Sequence, residues 1–236
     1  MYNPATGRNE FIFINSETEV AIGRSVQRDL LKNKNLSQDA VLNEKVKTIG
    51  RRLVKVSERK DIEYEFYVLE DDELNAMALP GGFIYVNKGL AKVLDDDQMA
   101  YVIGHEIGHV AGRHITKKIQ ANMAYQLILG IASASMDGKA QGTTAQGAAE
   151  GANVVYNLIS LGYSRQDEYQ ADKFGVRYSR QAGFDPYAAL SALEKIKKVD
   201  GPNYKILGYF RSHPYAQERI EVLKKYIPEL ASQKIK

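Results

Sequence analysis

The chain has 236 residues, a formal net charge of +3, 44% apolar and 26% charged residues, the profile of an ordinary globule with a sizeable core. It has no cysteine, which excludes a disulfide framework and a thiolate-held metal. No Lys/Arg run interleaves with aromatics, so nucleic-acid binding finds no support, and no stretch of about 18 consecutive apolar residues offers a spanning helix.

In chain order, apolar residues at helical spacing predict amphipathic helices over 17–34 (Val20, Ile22, Val26, Leu30) and 38–58 (Val46, Ile49, Leu53, Val56), the second capped by Ser37. β-branched and aromatic content predicts strands at 64–69 and 83–86 with a short one at 74–79, turned by Pro80-Gly81-Gly82. A helix over 96–119 follows, with Asp95, Asp96 and Asp97 at its N-terminus and Lys117 and Lys118 at its C-terminus. Gly104, Gly108 and Gly112 form a smooth strip along it, suited to close packing against a neighbour. The most hydrophobic stretch, 125–135, is short for a membrane span and runs into a Gly/Ala/Gln/Thr-rich tract at 138–153. Residues 122–160 therefore read as an inserted helical hairpin or long loop: a core helix with a loop, or a lid or membrane-contacting arm. Another helix starts near Ser164, and His213-Pro214 suits a further helix start. The expectation is one α+β, mainly α, domain over 1–236, with a small mixed sheet beside the helix at 96–119.

The chemistry is concentrated in that helix. Only four histidines exist, and His105, His109 and His114 fall within ten residues. His105 and His109, at i and i+4, share one helical face and can reach one metal ion, with Glu106 beside them as a general base. The apolar neighbours Met99, Tyr101, Val102, Ile103, Ile107 and Val110 argue that the helix is buried, where a histidine needs a partner. A catalytic metal site takes a third protein ligand. His114, on a continuing helix, points about 180° from His105 at roughly 100° per residue and reads as a non-ligand, a partly buried or second-layer histidine. Glu168 and Asp172 share a face of the helix after Ser164. Spacing alone leaves open a ligand with its supporting carboxylate, or a solvated acidic face paired with Arg165 and Lys173.

Four stretches together decide between those readings by resemblance: N-A-M-A-L-P-G-G at 75–82, H-E-I-G-H at 105–109, S-R-Q-D-E-Y-Q-A-D at 164–172 and S-H-P-Y-A-Q-E-R-I at 212–220. In this order they resemble the HtpX-like zinc peptidases, a family that includes the CAAX prenyl-protein proteases and Oma-type mitochondrial proteases. Asn3-Pro4-Ala5-Thr6-Gly7-Arg8 resembles its soluble periplasmic BepA/LoiP-like branch. The resemblance implies a gluzincin-type zincin with one Zn2+ held by His105, His109 and Glu168, Glu106 as general base and acid, and Asp172 orienting a liganding imidazole. It implies a substrate strand around Asn75, Ala76, Gly82 and Ile84. His213 is expected to be an oxyanion donor, a resting-state zinc ligand, or a helix-capping histidine. The implied activity is endoproteolysis of unfolded or misassembled envelope proteins, by an exported periplasmic chain whose signal has been removed. Contact with membrane surfaces or outer-membrane proteins goes with that setting. The alternative is an autoinhibited zinc-binding chaperone or interaction module with latent protease activity; an exopeptidase, for which no amine- or carboxylate-binding motif is present, ranks below both.

Overall fold

Two long helices open the structure, each started by a side chain that takes up free backbone donors. In the computed structural model, which describes residues 2–137, 154–199 and 208–233 (126–137 without side chains), α1 spans Ser16–Asn33 and is capped by Asn15. Helix α2 spans Ala40–Val56, and its cap is Asp39, which accepts from Val41 N and Leu42 N, rather than the expected Ser37. The hydroxyl of Ser37 instead accepts from Asp39 N and shapes the approach to the helix. Before α1, short strands β1 (Tyr2–Asn3) and β2 (Arg8–Asn9) pair across a turn.

The expected sheet is present and mixed. Strands β3 (Glu65–Leu69), β4 (Ala76–Leu79) and β5 (Phe83–Asn87) lie in the order β3-β5-β4, with β5 parallel to β3 and antiparallel to β4. Gly81 and Gly82 make the β4–β5 turn at φ +79 and +95, a region that only glycine enters without strain. After the short α3 (Lys88–Val93), helix α4 (Asp96–Ala111) is closed at its N-terminus by a capping box between Asp95 and Gln98. Every residue of α4 from Gln98 to Ala111 is buried, among α2, the sheet and two later helices, α7 (Arg165–Gln181) and α8 (Ala188–Val199).

The glycine strip explains one of these neighbours. A Cβ on Gly104 would lie 3.0 Å from Gly175 O, and one on Gly108 would lie 3.0 Å from Ala171 O, so α4 and α7 (Arg165–Gln181) touch backbone to backbone. That contact brings the two expected chemical segments together.

The helix expected over 96–119 is two helices. Helix α4 stops at Gly112, Arg113 takes a left-handed φ of 54°, and α5 (His114–Asp137) starts after it. Buried side chains also donate to the carbonyls of the last turn of α4. Asn3 donates to Ala111 O at 3.2 Å, and Arg59 donates to Val110 O at 2.9 Å. Glu19 of α1 joins Arg59 and Arg113 in a buried ion triad at 2.8 and 2.7 Å. The N-terminal arm is thereby tied to the end of the helix that bears the histidines.

A helical stretch α6 (154–160) precedes α7, and α8 (Ala188–Val199), α9 (Tyr209–Ser212) and α10 (Ala216–Ala231) follow. Most of the proposed inserted segment is helical at its flanks; the tract at 138–153, on which a lid or arm depends, lies outside the described residues. His213 sits at the end of α9 rather than at a helix start: Tyr215, in a left-handed conformation at φ 67, precedes α10.

Candidate active site

Four buried side chains from three segments converge. One ligand atom each from His105, His109, Glu168 and His213 lie within 4.8 Å of one another. Helix α4 supplies the two imidazoles, α7 the carboxylate, and the turn between α9 and α10 the third imidazole. His105 Nε2 is 2.9 Å from His109 Nε2 and 3.2 Å from His213 Nδ1. Glu168 Oε1 is 3.3 Å from His109 Nε2 and 3.2 Å from His213 Nδ1.

The nitrogens facing away from this centre are occupied. His105 Nδ1 donates to Asp172 Oδ1 at 2.8 Å, and His109 Nδ1 lies 2.9 Å from His114 Nδ1. What remains is a set of imidazole lone pairs and a carboxylate pointing at one another, an arrangement that suits a shared cation. Unpartnered atoms support the fit: both oxygens of Glu106, Glu168 Oε2 and His213 Nε2 are buried without a hydrogen bond. A buried hydrophilic donor set of this kind suits a metal ion.

Arg219 on α10 holds the carboxylates. Its Nε and Nη2 donate to the two oxygens of Asp172 at 2.9 and 2.6 Å, and its Nη1 donates to His213 O at 3.1 Å. The same Nη1 lies 2.8 Å from Glu168 Oε2 as an ion pair without hydrogen-bond alignment. Burial raises the pKa of Glu168, but Arg219 and the neighbouring histidines outweigh it and hold the carboxyl well below the usual range. Asp172 behaves the same way: burial opposes ionisation, and Arg219 and His105 prevail. Burial drives His109 far down. It also acts to lower His213, but Glu106 and Glu168 reverse the shift and raise it.

The expected residues therefore meet in one place, with exceptions. Glu106 is buried beside the cluster, its Oε1 3.3 Å from His213 Nε2. His114 is not among the converging atoms, yet it touches one of their owners. None of the expected substrate positions is among the converging ligand atoms. Asn75 and Ala76 stand at the start of β4, the sheet edge packed against α4; Ile84 lies in the central strand between Phe66 and Ala78, and Gly82 is in the turn. All four are buried. Tyr101 escaped sequence reasoning. Its hydroxyl donates to Asp172 Oδ1 at 2.6 Å, and its position four residues before His105, on the same helical face, was the available signal. Tyr163 stacks on His109 with ring centroids 3.8 Å apart, a contact that no spacing rule announces.

Comparison with known proteins points the same way. The family described as peptidase family M48 matches residues 40–227. The mitochondrial metalloendopeptidase OMA1 of Schizosaccharomyces pombe is 28% identical over 97% of this chain and 66% of its own length. The beta-barrel assembly-enhancing protease of Escherichia coli K12 is 26% identical over 86% of this chain and 42% of its own. The metalloprotease LoiP of the same bacterium is 29% identical over 74% of this chain and 66% of its own length. The chain thus spans about two thirds or less of the curated relatives it matches.

Proposed function

This chain belongs to peptidase family M48, and from that premise we propose that it is a zinc-dependent endopeptidase that cleaves unfolded or misassembled proteins of the cell envelope. The observation that carries the reading is the convergence of His105, His109 and Glu168 from two helices locked backbone to backbone, with Glu106 buried beside them. Those three residues would hold one zinc ion, an assignment favoured by the imidazole and carboxylate donors. Bound zinc supplies Lewis-acid polarisation of the scissile carbonyl and lowers the pKa of water towards neutrality.

The chain's own residues do the rest. Glu106 takes a proton from the attacking water and delivers it to the leaving amine; its two unpartnered oxygens leave it free to do so. Asp172, charged by Arg219, accepts from His105 Nδ1–H and so directs the lone pair of His105 Nε2 to the centre. The backbone edge of β4, beginning at Asn75 and Ala76, would take an extended substrate by strand addition once the groups that bury it move aside, with Gly82 and Ile84 shaping the hairpin behind it. Such binding reads main chain rather than side chains, which suits a protease of unfolded proteins. An exported, periplasmic location fits the cysteine-free composition, and among the described residues no helix is long and apolar enough to cross a membrane. The name of the beta-barrel assembly-enhancing relative supports β-barrel proteins as the clients.

A second reading rests on His213. With Nδ1 3.2 Å from both His105 Nε2 and Glu168 Oε1, it stands where a fourth ligand would, and its Nε2 faces Glu106. The state described is then a resting one, and the chain's activity is latent until His213 withdraws. Casein cleavage by zinc-loaded protein tests both readings. Glu106→Gln should retain zinc and lose turnover; undiminished cleavage removes the peptidase mechanism. His213→Ala should cleave faster if His213 blocks the site and more slowly if it donates to the oxyanion.

A further inference from the structure

The imidazole that reaches the centre from a turn is carried on a short piece of chain. Helix α9 is a single turn, Tyr209–Ser212, too short to hold its own shape in water. Its start, Gly208, has φ 77 and ψ −155, a region essentially confined to glycine, so no side chain at that position can cap the turn. Where the turn stands, and His213 with it, must be fixed from outside.

Among the described residues, the backbone of 208–213 is held from outside at both ends. At the far end Tyr163 N donates to Ser212 O at 3.2 Å, and Arg219 Nη1 donates to His213 O at 3.1 Å. At the near end Gly208 N donates to Glu73 Oε1 at 2.7 Å. Glu73 lies in the loop between β3 and β4, and that loop is itself pinned. Asp71 Oδ1 accepts from Glu73 N at 2.9 Å, Asp71 O from Gly89 N at 2.9 Å, and Asn35 O from Glu70 N at 2.8 Å. A Cβ on Gly89 would lie 2.1 Å from Asp72 O, so the loop and the start of α3 touch by backbone. The Glu73 carboxylate is thus a fixed post, and an ionised acceptor makes a stronger bond than a neutral one. Between its two ends the turn is stiff: His213 N donates to Tyr209 O at 2.9 Å, and the Tyr209 ring stacks on the His213 ring with centroids 4.5 Å apart. A shift of Gly208 is therefore passed on to the imidazole.

We propose that Glu73 is a positioning residue for His213: by holding Gly208 it keeps the α9 turn, and through it the third imidazole, at the centre. Its purpose rests on the proposed function, but not on which of the two roles His213 plays there. Glu73 stands just before Asn75, where the proposed substrate edge begins, so one loop serves both the strand and the imidazole.

Amide hydrogen exchange of metal-free wild type, Glu73→Ala and Glu73→Gln reads the contact directly. In Glu73→Ala the amides of Gly208 and His213 should exchange about tenfold faster, the effect of losing one bond to a charged acceptor, while the amides of α4 keep their protection. Glu73→Gln, which still offers an acceptor, should fall between. A merely structural role loosens α4 as well. Unchanged exchange at His213, or equal acceleration at α4, overturns the proposal. Casein cleavage by the zinc-loaded variants is the second arm. Glu73→Ala should move turnover in the same direction as His213→Ala does. Added to His213→Ala, it should change the rate by less than about twofold, since the group it positions is gone. A change opposite in sign to that of His213→Ala, or an undiminished effect in the double variant, refutes it. Absence of cleavage in every variant would sink the peptidase reading, and the exchange result would still decide the part played by Glu73.

Discussion

Replacing Arg219 by Met tests whether the site's carboxylates are held by one buried cation. Arg219 is fully buried, and its guanidinium spans Asp172 at 2.9 and 2.6 Å and Glu168 at 2.8 Å. Met fills much of the same volume without the charge, so the substitution isolates electrostatics from packing. Breaking a buried pair by removing one member costs about 3–5 kcal/mol, because the other charge stays behind without compensation. Here two carboxylates are left. Asp172 keeps His105 and Tyr101, while Glu168 keeps only imidazoles, so the cost should reach the upper part of that range. For a chain of this size about 1 kcal/mol moves the melting temperature by roughly 2–4 °C, which puts the expected fall at about 8–20 °C in metal-free protein. A bound dication would restore positive charge beside Glu168, so zinc should recover part of the loss. The assay is thermal unfolding of wild type and Arg219→Met with chelator and with zinc. A loss below about 1 kcal/mol in the chelated protein would refute the reasoning, since it is the range of a solvent-exposed ion pair.

Further outcomes follow from other parts of the structure. Glu19 is buried, which raises its pKa, but Arg59 and Arg113 prevail and lower it from 4.5. A depressed folded pKa contributes stability that is fully present above pH about 4.5 and lost as pH falls through the lower folded value. Urea unfolding should therefore show Glu19→Gln well below wild type at pH 7, with the gap shrinking in acid; a gap independent of pH contradicts the triad. Gly108→Ala places a methyl 2.9 Å from Phe174 Cβ and 3.0 Å from Ala171 O. Because α7 must shift, the variant should lose about 1–3 kcal/mol and bind zinc more weakly, measured by urea melts and chelator competition. Removing metal should lower the melting temperature by the equivalent of about 2.7 kcal/mol relative to protein at a zinc concentration 100 times Kd. A melting curve indifferent to chelator would argue against a built site. Asp39→Ala removes two capping bonds to α2 and should cost about 0.5–2 kcal/mol in thermal unfolding without changing zinc affinity.

The sequence alone determined what depends on spacing along one helix or on local turn chemistry. His105 and His109 had to share a face, and so did Glu168 and Asp172, because the helical period places i and i+4 together whatever surrounds them. Pro80-Gly81-Gly82 fixed the hairpin turn, and the strip of Gly104 and Gly108 announced a close neighbour. Which neighbour was not readable from spacing, since helix pairing is a property of two surfaces; resemblance to a family supplied that expectation, and the contact of α4 with α7 bears it out. Lys117 and Lys118 look like a C-terminal signal, so the local pattern reads 96–119 as one continuous helix. The true end at Gly112 is met by distant groups, Asn3, Arg59 and Glu19, whose approach no local pattern encodes. That single break brings His114, which a continuous helix would point away from His105, against the ring of His109. Tertiary structure alone likewise decided that Arg219 joins the two carboxylates and that His213 reaches the centre from a turn. Proton positions and charge balance in a buried site depend on every group within hydrogen-bond reach, and those groups come from segments far apart in the chain.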